Sequence, residues 1–290
     1  MPMHPAAPED LTGLVEAFAQ SAQAIVDLAR TCREEDFGKL TECPGWTVKD
    51  QIAHIVGAEA AMEGHLEPPV PMEDRKHVHG EVDGRTEYAV ASRRERSGGD
   101  VLSELEHVLA QRLATLRSQG LTETSVLAGP YGQAVEAAEL LRLRIRDVWA
   151  HEQDIRTALE WPGDLDSPAA AVFVDHVLEC VPELVGGAGL EVGTTVIVDI
   201  TGPMVGRAGV RIGTDDAGRP RSYAMFTGEP VEAEPGDAED DLGSVTTISL
   251  STDAVTRRAA GRRSVEDTAY HVVGDEDVAR RALEALAFTD

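Results

Sequence analysis

The sequence is short of basic residues, has few cysteines and contains no long apolar run. Lys and Arg number 26 against 52 Asp and Glu, which gives a formal net charge of −26. This charge repels nucleic acids and anionic membrane surfaces, so we expect neither as a partner. No apolar run reaches the roughly 18–20 residues that a membrane-spanning helix needs, and the N-terminus MPMHPAAPEDL lacks the features of a signal peptide. We predict a cytoplasmic protein that acts on small molecules, with no prediction of oligomeric state.

The cysteines exclude two further kinds of architecture. Cys32, Cys43 and Cys180 are odd in number, far apart and never in a CxxC pair. This pattern speaks against a disulfide framework and against a zinc site built from thiolates. The remaining composition, 42% hydrophobic and 27% charged in 290 residues, is typical of a globular protein long enough for two domains.

A long helix predicted from Gln133 to Glu160 carries the most suggestive cluster. One face is an apolar stripe at alternating spacings of four and three residues: Leu141, Ile145, Val148, Ile155 and Leu159. Asp147, His151 and Asp154 lie on a neighbouring face. Two potential metal ligands four residues apart on a helix project side by side. From spacing alone, however, Asp147 and His151 also fit an ordinary surface pair.

The third ligand would have to come from another helix, and His54 is the best candidate. It lies in a helix predicted from Val48 to about Glu63, on a face with small residues that we interpret as one wall of a cleft. The simpler alternative is a histidine satisfied within the helix. Two more helices, at about 9–31 and 101–116, complete four helices joined by one long connection, which fits a four-helix bundle. We predict that residues of about 64–99 are irregular.

The sequence pattern changes after about residue 185, from helical periodicity to predicted strands and helices. Strands are predicted at Thr194–Ile200 and Val245–Leu250, with weaker strands between them and helices near the C-terminus. The pattern predicts an α+β domain with a largely antiparallel sheet. We therefore expect a helical domain over residues 9–185 and an α+β domain over residues 190–290. A further helical stretch near Ala169–Leu184 could pack on the bundle or lead out of it.

Three segments resemble the mycothiol-dependent maleylpyruvate isomerase family, a branch of the DinB-like metal-binding four-helix bundles. Residues 43–62, CPGWTVKDQIAHIVGAEAAM, look like its signature, and residues 145–163, IRDVWAHEQDIRTALEWPG, look like its fourth-helix motif. Residues 251–286 resemble the small sterol-carrier-like domain that follows the bundle in many members. The resemblance covers nearly the whole chain in the right order. Its motifs are specific for fold and much less specific for substrate.

The resemblance implies a metal site and a low-molecular-weight thiol that takes the place of a protein cysteine. Carried over by motif, the ligands of a divalent metal, with zinc as the first candidate, are His54, Asp147 and His151. The family pattern has Glu where this chain has Asp147, whose side chain is one methylene shorter. Asp147 would bind the metal directly if the helices lie closer together than they do with Glu, and otherwise it would bind through a water. Mycothiol would bind at the open position as a thiolate. It would add to an activated double bond, allow rotation and leave, which isomerises the substrate from cis to trans.

Other functions and one more site residue stay open. A mycothiol S-transferase that conjugates xenobiotics or a biosynthetic intermediate would need only the first half of this chemistry, and a non-catalytic DinB-like binding protein would need none of it. Arg262 matches a family motif and is our candidate for binding a substrate carboxylate. It could instead stabilise the end of the preceding helix. Packing in the bundle explains Trp46 and Trp149 more simply than a binding role.

Overall fold

The structure, a computed structural model, describes residues 5–67, 80–227 and 243–288. The chain divides between Asp164 and Leu165 into two compact units, which are described separately below. The division falls earlier in the chain than the boundary expected between residues 185 and 190. Within the described ranges, no helix is both long enough and apolar enough to cross a membrane.

The N-terminal unit is helical, as predicted. Among residues 7–67 and 80–164 it contains a short hairpin of β1 (Val126–Ala128) and β2 (Ala134–Glu136), and five α-helices: α1 (Leu11–Thr31), α2 (Val48–Met62), α3 (Gly80–Ala91), α4 (Gly98–Leu116) and α5 (Ala137–Leu159). Four of them are the predicted bundle helices. In the bundle, α1 packs on α5 and α2 packs on α4.

The bundle core follows the predicted stripes. Its fully buried side chains include Leu14 and Phe18 of α1, Ile52 of α2, Leu105 of α4 and Ile145 of α5. Burying one such side chain stabilises the fold by about 1.5–3 kcal/mol. The α2 helix begins where the sequence predicts, because Thr47 and Asp50 form a capping box that satisfies the first free amide groups.

Two predictions for this unit are wrong. Residues 64–99 are not irregular throughout, since α3 occupies Gly80–Ala91. Its sequence, with two glycines and no continuous apolar stripe, gives a weak local helix signal, and α3 packs on α2. The fourth bundle helix begins at Ala137 rather than Gln133, because Ala134–Glu136 pair with β1 instead.

The C-terminal unit is an α+β fold with a mostly antiparallel sheet, as predicted. Its described strands have the order β5-β4-β3-β6-β7, and among them only the β3–β6 pair is parallel. The elements are α6 (Pro168–Gly186), β3 (Thr194–Thr201), β4 (Gly206–Thr214), β5 (Pro220–Met225), β6 (Ser244–Ser251), α7 (Thr252–Ala259), β7 (Tyr270–Val273) and α8 (Glu276–Ala285).

Helix α6 belongs to this second unit because it packs on strands β4 and β5. Strand residues that alternate along the sheet, such as Val198, Val210 and Ile248, are buried on one of its faces. In α6, Val174 and Val177 are buried as well. The helical stretch that the sequence left unassigned is therefore part of the α+β unit.

Candidate metal centre

The first candidate ligand, His54, lies on the second turn of α2 and is buried. The capping box at Thr47 fixes where α2 begins, and so fixes which residues share its faces. Ala58 and Ala61 lie on the same side of the helix as His54 and line a cavity with it. This confirms the interpretation of that face as one wall of a cleft.

Helix α5 brings the other two candidates to His54. Asp147 and His151 lie one turn apart on the same side of α5, as the spacing predicts. Asp147 Oδ2 is 3.2 Å from His54 Nε2, and Asp147 Oδ1 is 3.5 Å from His151 Nε2. One ligand atom from each of the three residues lies within 4.8 Å of the others. The structure therefore brings together the three residues that sequence analysis singled out.

The donor set and its spacing fit a divalent metal ion. Ligand atoms held at about 2.1 Å from one ion with tetrahedral angles lie about 3.4 Å apart. Each histidine Nε2 lies near this distance from one Asp147 oxygen: His54 is 3.2 Å from Oδ2, and His151 is 3.5 Å from Oδ1. Two imidazoles and one carboxylate form a common three-residue set for zinc and related metals, and they leave a position for a further ligand.

The charges around Asp147 keep its carboxylate ionised. Burial opposes ionisation, but the Arg144 guanidinium and the two histidines outweigh it and hold the pKa of Asp147 well below its usual range. Burial lowers the pKa of His54 despite the nearby carboxylate. Burial also acts to lower the pKa of His151, but Asp147 and Asp154 outweigh it and the pKa is raised. His54 therefore loses its proton more readily than an ordinary histidine, and His151 less readily.

A buried carboxylate lies behind His151. Asp154 is fully buried, and its Oδ2 is 3.4 Å from His151 Nδ1. A carboxylate beside the non-ligating nitrogen of a metal-binding histidine orients the ring and raises its basicity. Sequence analysis noted the spacing of Asp154 but assigned it no role.

A chain of buried charges that the sequence pattern did not indicate lies next to the site. Arg144 Nη1 is 2.9 Å from Asp147 Oδ2, and Arg144 Nε donates to Glu59 Oε1 at 2.8 Å. Glu59 Oε2 is 3.2 Å from Arg112 Nε. Glu59, Arg112 and Arg144 are all buried. The signal that could have revealed them is a charged residue at a helix position flanked by core positions, as Arg144 is beside Ile145.

Trp46 covers the two histidines. Its ring centroid lies 5.3 Å from that of His54 and 5.8 Å from that of His151, in the second case nearly parallel. Its Nε1 donates to Glu87 Oε2 of α3 at 3.2 Å, and Glu87 is buried. Trp46 thus packs directly on the candidate ligands, a contact that sequence analysis did not anticipate. Trp149 is a buried core residue, as expected.

A cavity of about 360 Å³ opens beside His54. Much of its wall is apolar or small: Gly57, Ala58, Ala61, Leu66, Ala89 and Pro130. Two hydroxyls in the wall, Thr86 Oγ1 and Tyr131 Oη, lie 3.1 Å apart. No Arg or Lys side chain lines the cavity among residues 5–67, 86–227 and 243–288. The space beside His54, one of the three candidate ligands, can therefore hold a small molecule.

Arg262 lies in the C-terminal unit, just after α7. Its Nη1 donates to Ala260 O, a carbonyl at the end of that helix, at 2.9 Å. This contact matches the simpler of the two interpretations, in which positive charge stabilises the helix end. A role for Arg262 in carboxylate binding stays a prediction.

The family described as mycothiol maleylpyruvate isomerase N-terminal domain matches residues 18–156, which include the three candidate ligands. A crystal structure of the mycothiol-dependent maleylpyruvate isomerase has a TM-score of 0.52 and 17% identity, over 90% of this chain and 93% of that chain. The structure of a mutant of that enzyme, with one histidine changed to alanine, has a TM-score of 0.52 and 16% identity, again over 90% of this chain and 93% of that chain. At such identities these two structures show the fold alone. None of the curated proteins matches significantly.

Proposed function

We propose, because residues 18–156 match the mycothiol maleylpyruvate isomerase N-terminal domain, that this chain is a metal-dependent enzyme. In the proposed reaction the thiol of mycothiol adds to an electrophilic substrate. The favoured reaction is cis–trans isomerisation of a double bond conjugated to a carbonyl group. One observation carries the proposal: His54, Asp147 and His151 converge, and His54 also lines a cavity that can hold a substrate.

The three residues would hold a divalent ion, for which zinc is the first candidate. Such an ion lowers the pKa of a thiol that binds beside the protein ligands and makes it a nucleophile at neutral pH. Burial lowers the pKa of His54, which favours the neutral imidazole that metal binding requires. Asp147 is ionised, and Asp154 lies behind His151 where it can orient that ring.

The rest of the site binds and shields the reactants. Trp46 packs on the rings of both histidines and shields that side of them from water. The hydroxyls of Thr86 and Tyr131 can donate hydrogen bonds to a substrate carbonyl oxygen. In the isomerisation, the thiolate adds to the double bond, the resulting single bond rotates, and expulsion of the thiolate restores the double bond in trans geometry. The thiol is not consumed.

Metal content tests the site. The purified, tag-free protein is dialysed against added zinc and compared with His54→Ala and His151→Ala. We expect about one zinc per chain in the parent and a large loss in both variants. His107→Ala is the matched control, because His107 is an exposed residue of α4 outside the site. A well-folded parent that takes up no zinc would overturn the proposed mechanism and favour a non-catalytic binding protein.

A second function, mycothiol S-transferase, is supported by the chemistry of the cavity. Its apolar wall and the absence of a lining Arg or Lys among the described side chains favour an uncharged electrophile over a dicarboxylate. In this reaction the thiolate adds to the substrate and the conjugate is released. Mycothiol is then consumed one for one, whereas an isomerase regenerates it.

Turnover assays separate these functions. The zinc-loaded protein is incubated with mycothiol and either maleylpyruvate or an uncharged enone, and free thiol and products are followed. Isomerised maleylpyruvate with constant thiol supports the isomerase, and loss of thiol with the enone supports the transferase.

Arg262→Gln should lower turnover of maleylpyruvate but not of the enone if Arg262 binds a carboxylate. A cytoplasmic location belongs to the same proposal and is supported by Cys32, Cys43 and Cys180, none of which forms a disulfide.

A further inference from the structure

Arg144 of α5 contacts two carboxylates at once. Its Nη1 lies 2.9 Å from Asp147 Oδ2, and its Nε donates to Glu59 Oε1 at 2.8 Å. Only 3% of the Arg144 surface is exposed, and Glu59 is fully enclosed. A guanidinium carries its donors in a rigid plane, so two such contacts fix the direction in which each carboxylate lies.

The contacts of Asp147 are divided between its two oxygens. Oδ2 is the oxygen near Arg144 Nη1 and His54 Nε2, at 2.9 Å and 3.2 Å. Oδ1 is the oxygen on the side of His151 Nε2, at 3.5 Å. An aspartate has only one methylene between its backbone and its carboxylate, so a rotation of the carboxylate would change which oxygen faces the histidines. The contact with Arg144 opposes that rotation.

We propose that Arg144 is a positioning residue of the metal centre, which binds Oδ2 of Asp147 and thereby keeps Oδ1 directed to the side of His151. This inference rests on the proposed function, because it requires that Asp147 is a metal ligand. Arg144 acts through Asp147 and is not itself a ligand.

The charge of Arg144 would by itself repel a metal cation, and the structure contains the group that offsets it. Glu59 is 2.8 Å from Arg144 and carries the opposite charge within the same buried region. Glu59 also lies 3.2 Å from Arg112, so it retains a cationic partner when Arg144 is replaced. The orienting effect of Arg144 on Asp147 therefore outweighs its repulsion of the ion, and loss of Arg144 should weaken metal binding.

The test is a double-mutant cycle on zinc affinity. Arg144→Met, Asp147→Glu and the double variant are compared with the parent by competition with a chromophoric zinc chelator. Arg144→Met should lower zinc affinity 10- to 100-fold in the parent, the usual effect of losing a residue that orients a metal ligand. In the Asp147→Glu background, Arg144→Met should lower zinc affinity less than about 3-fold. The longer glutamate side chain carries its oxygens beyond the contact with Arg144.

Two further measurements separate positioning from a role in folding alone. The visible spectrum of the cobalt-loaded protein reports ligand geometry, and it should change in Arg144→Met but remain that of the parent in the control His107→Ala. Arg144→Lys keeps the charge without the planar fork and should lose affinity as well. Arg144→Lys replaces Arg144→Met in the affinity measurements if Arg144→Met does not fold.

Specific results would overturn the inference. An equal loss of affinity in the parent and in the Asp147→Glu background would mean that Arg144 acts on the fold, and unchanged or tighter zinc binding would mean that it only repels the ion. In either case the parent still binds zinc, so the proposed function would stand. A parent that binds no zinc overturns both the function and this inference.

Discussion

Gly57 of α2 and Ala89 of α3 approach so closely that a Cβ atom on residue 57 would lie 2.2 Å from the Cβ of Ala89. Both residues line the cavity beside His54. The contact sets the distance between the helix that carries His54 and the helix that was not expected from the sequence. It therefore sets the width of the cavity as well.

This close approach predicts the effect of one added methyl group. Gly57→Ala would normally stabilise a helix by up to about 1 kcal/mol, but here the overpacking should outweigh that gain and destabilise the protein by about 1–3 kcal/mol. Urea unfolding measures the change. Ala89→Gly in the same chain removes the clashing atom, so the double variant should be more stable than the sum of the two single changes predicts. Additive changes would contradict the packing described here.

Trp46 is predicted to contribute to stability through its ring nitrogen. Trp46→Phe keeps an aromatic ring near the histidines but removes the N–H that donates to the buried Glu87 at 3.2 Å. Loss of a hydrogen bond to a buried charge should cost about 1–3 kcal/mol. Trp161→Phe is the control, because 51% of Trp161 is exposed and its replacement should cost less than about 0.5 kcal/mol. Equal stabilities of the two variants in denaturant unfolding would refute the prediction.

Glu152 should make stability fall as pH rises. Burial, with the charge of Asp164, raises the pKa of Glu152 to about 8, although Arg156 and Ser21 oppose the shift. Between about pH 4.5 and 8 the unfolded chain has lost this proton and the folded protein retains it. The contribution of Glu152 to stability is therefore full below pH 4.5 and is lost at about 1.4 kcal/mol per pH unit as the pH rises through this window.

The variant Glu152→Gln tests this directly. Its amide can accept from Arg156 and donate to Ser21, the two hydrogen-bond partners of Glu152, without titrating. Between pH 5 and 7 the parent should lose about 2–3 kcal/mol relative to the variant, as measured by urea unfolding at each pH. Glu139→Gln, an exposed position on the same helix, should follow the parent. Parallel pH profiles for the parent and Glu152→Gln would rule out the raised pKa.

Zinc should stabilise the protein, and Asp147 should be needed for the effect. A ligand present at 100 times its Kd stabilises the folded state by about 2.7 kcal/mol. Asp147→Asn keeps an oxygen near Arg144 but loses the negative charge, so we expect most of this gain to disappear. Thermal unfolding with zinc and after chelation measures the difference, with His107→Ala as the control. A full zinc effect in Asp147→Asn would exclude Asp147 as a ligand.

The sequence by itself determined the parts of the protein that depend on neighbours along the chain. The spacing of Asp147 and His151 placed them one turn apart on α5, because helix geometry is local. The Thr47 capping box and the apolar stripes of α1, α2 and α4 are local in the same way. The alternating strands likewise predicted a mostly antiparallel sheet.

Only the tertiary structure decided which distant groups meet. His54 and Asp147 are 93 positions apart, and their contact depends on how α2 and α5 pack. The same holds for Glu59 with Arg144 and for Trp46 with Glu87, since a buried charge is stable only where packing supplies its partner. Helix α3 has a weak local signal and packs against Gly57, and α6 joins the α+β unit through the sheet. Periodicity shows which face of an element is apolar, whereas the partner of that face is a property of the whole fold.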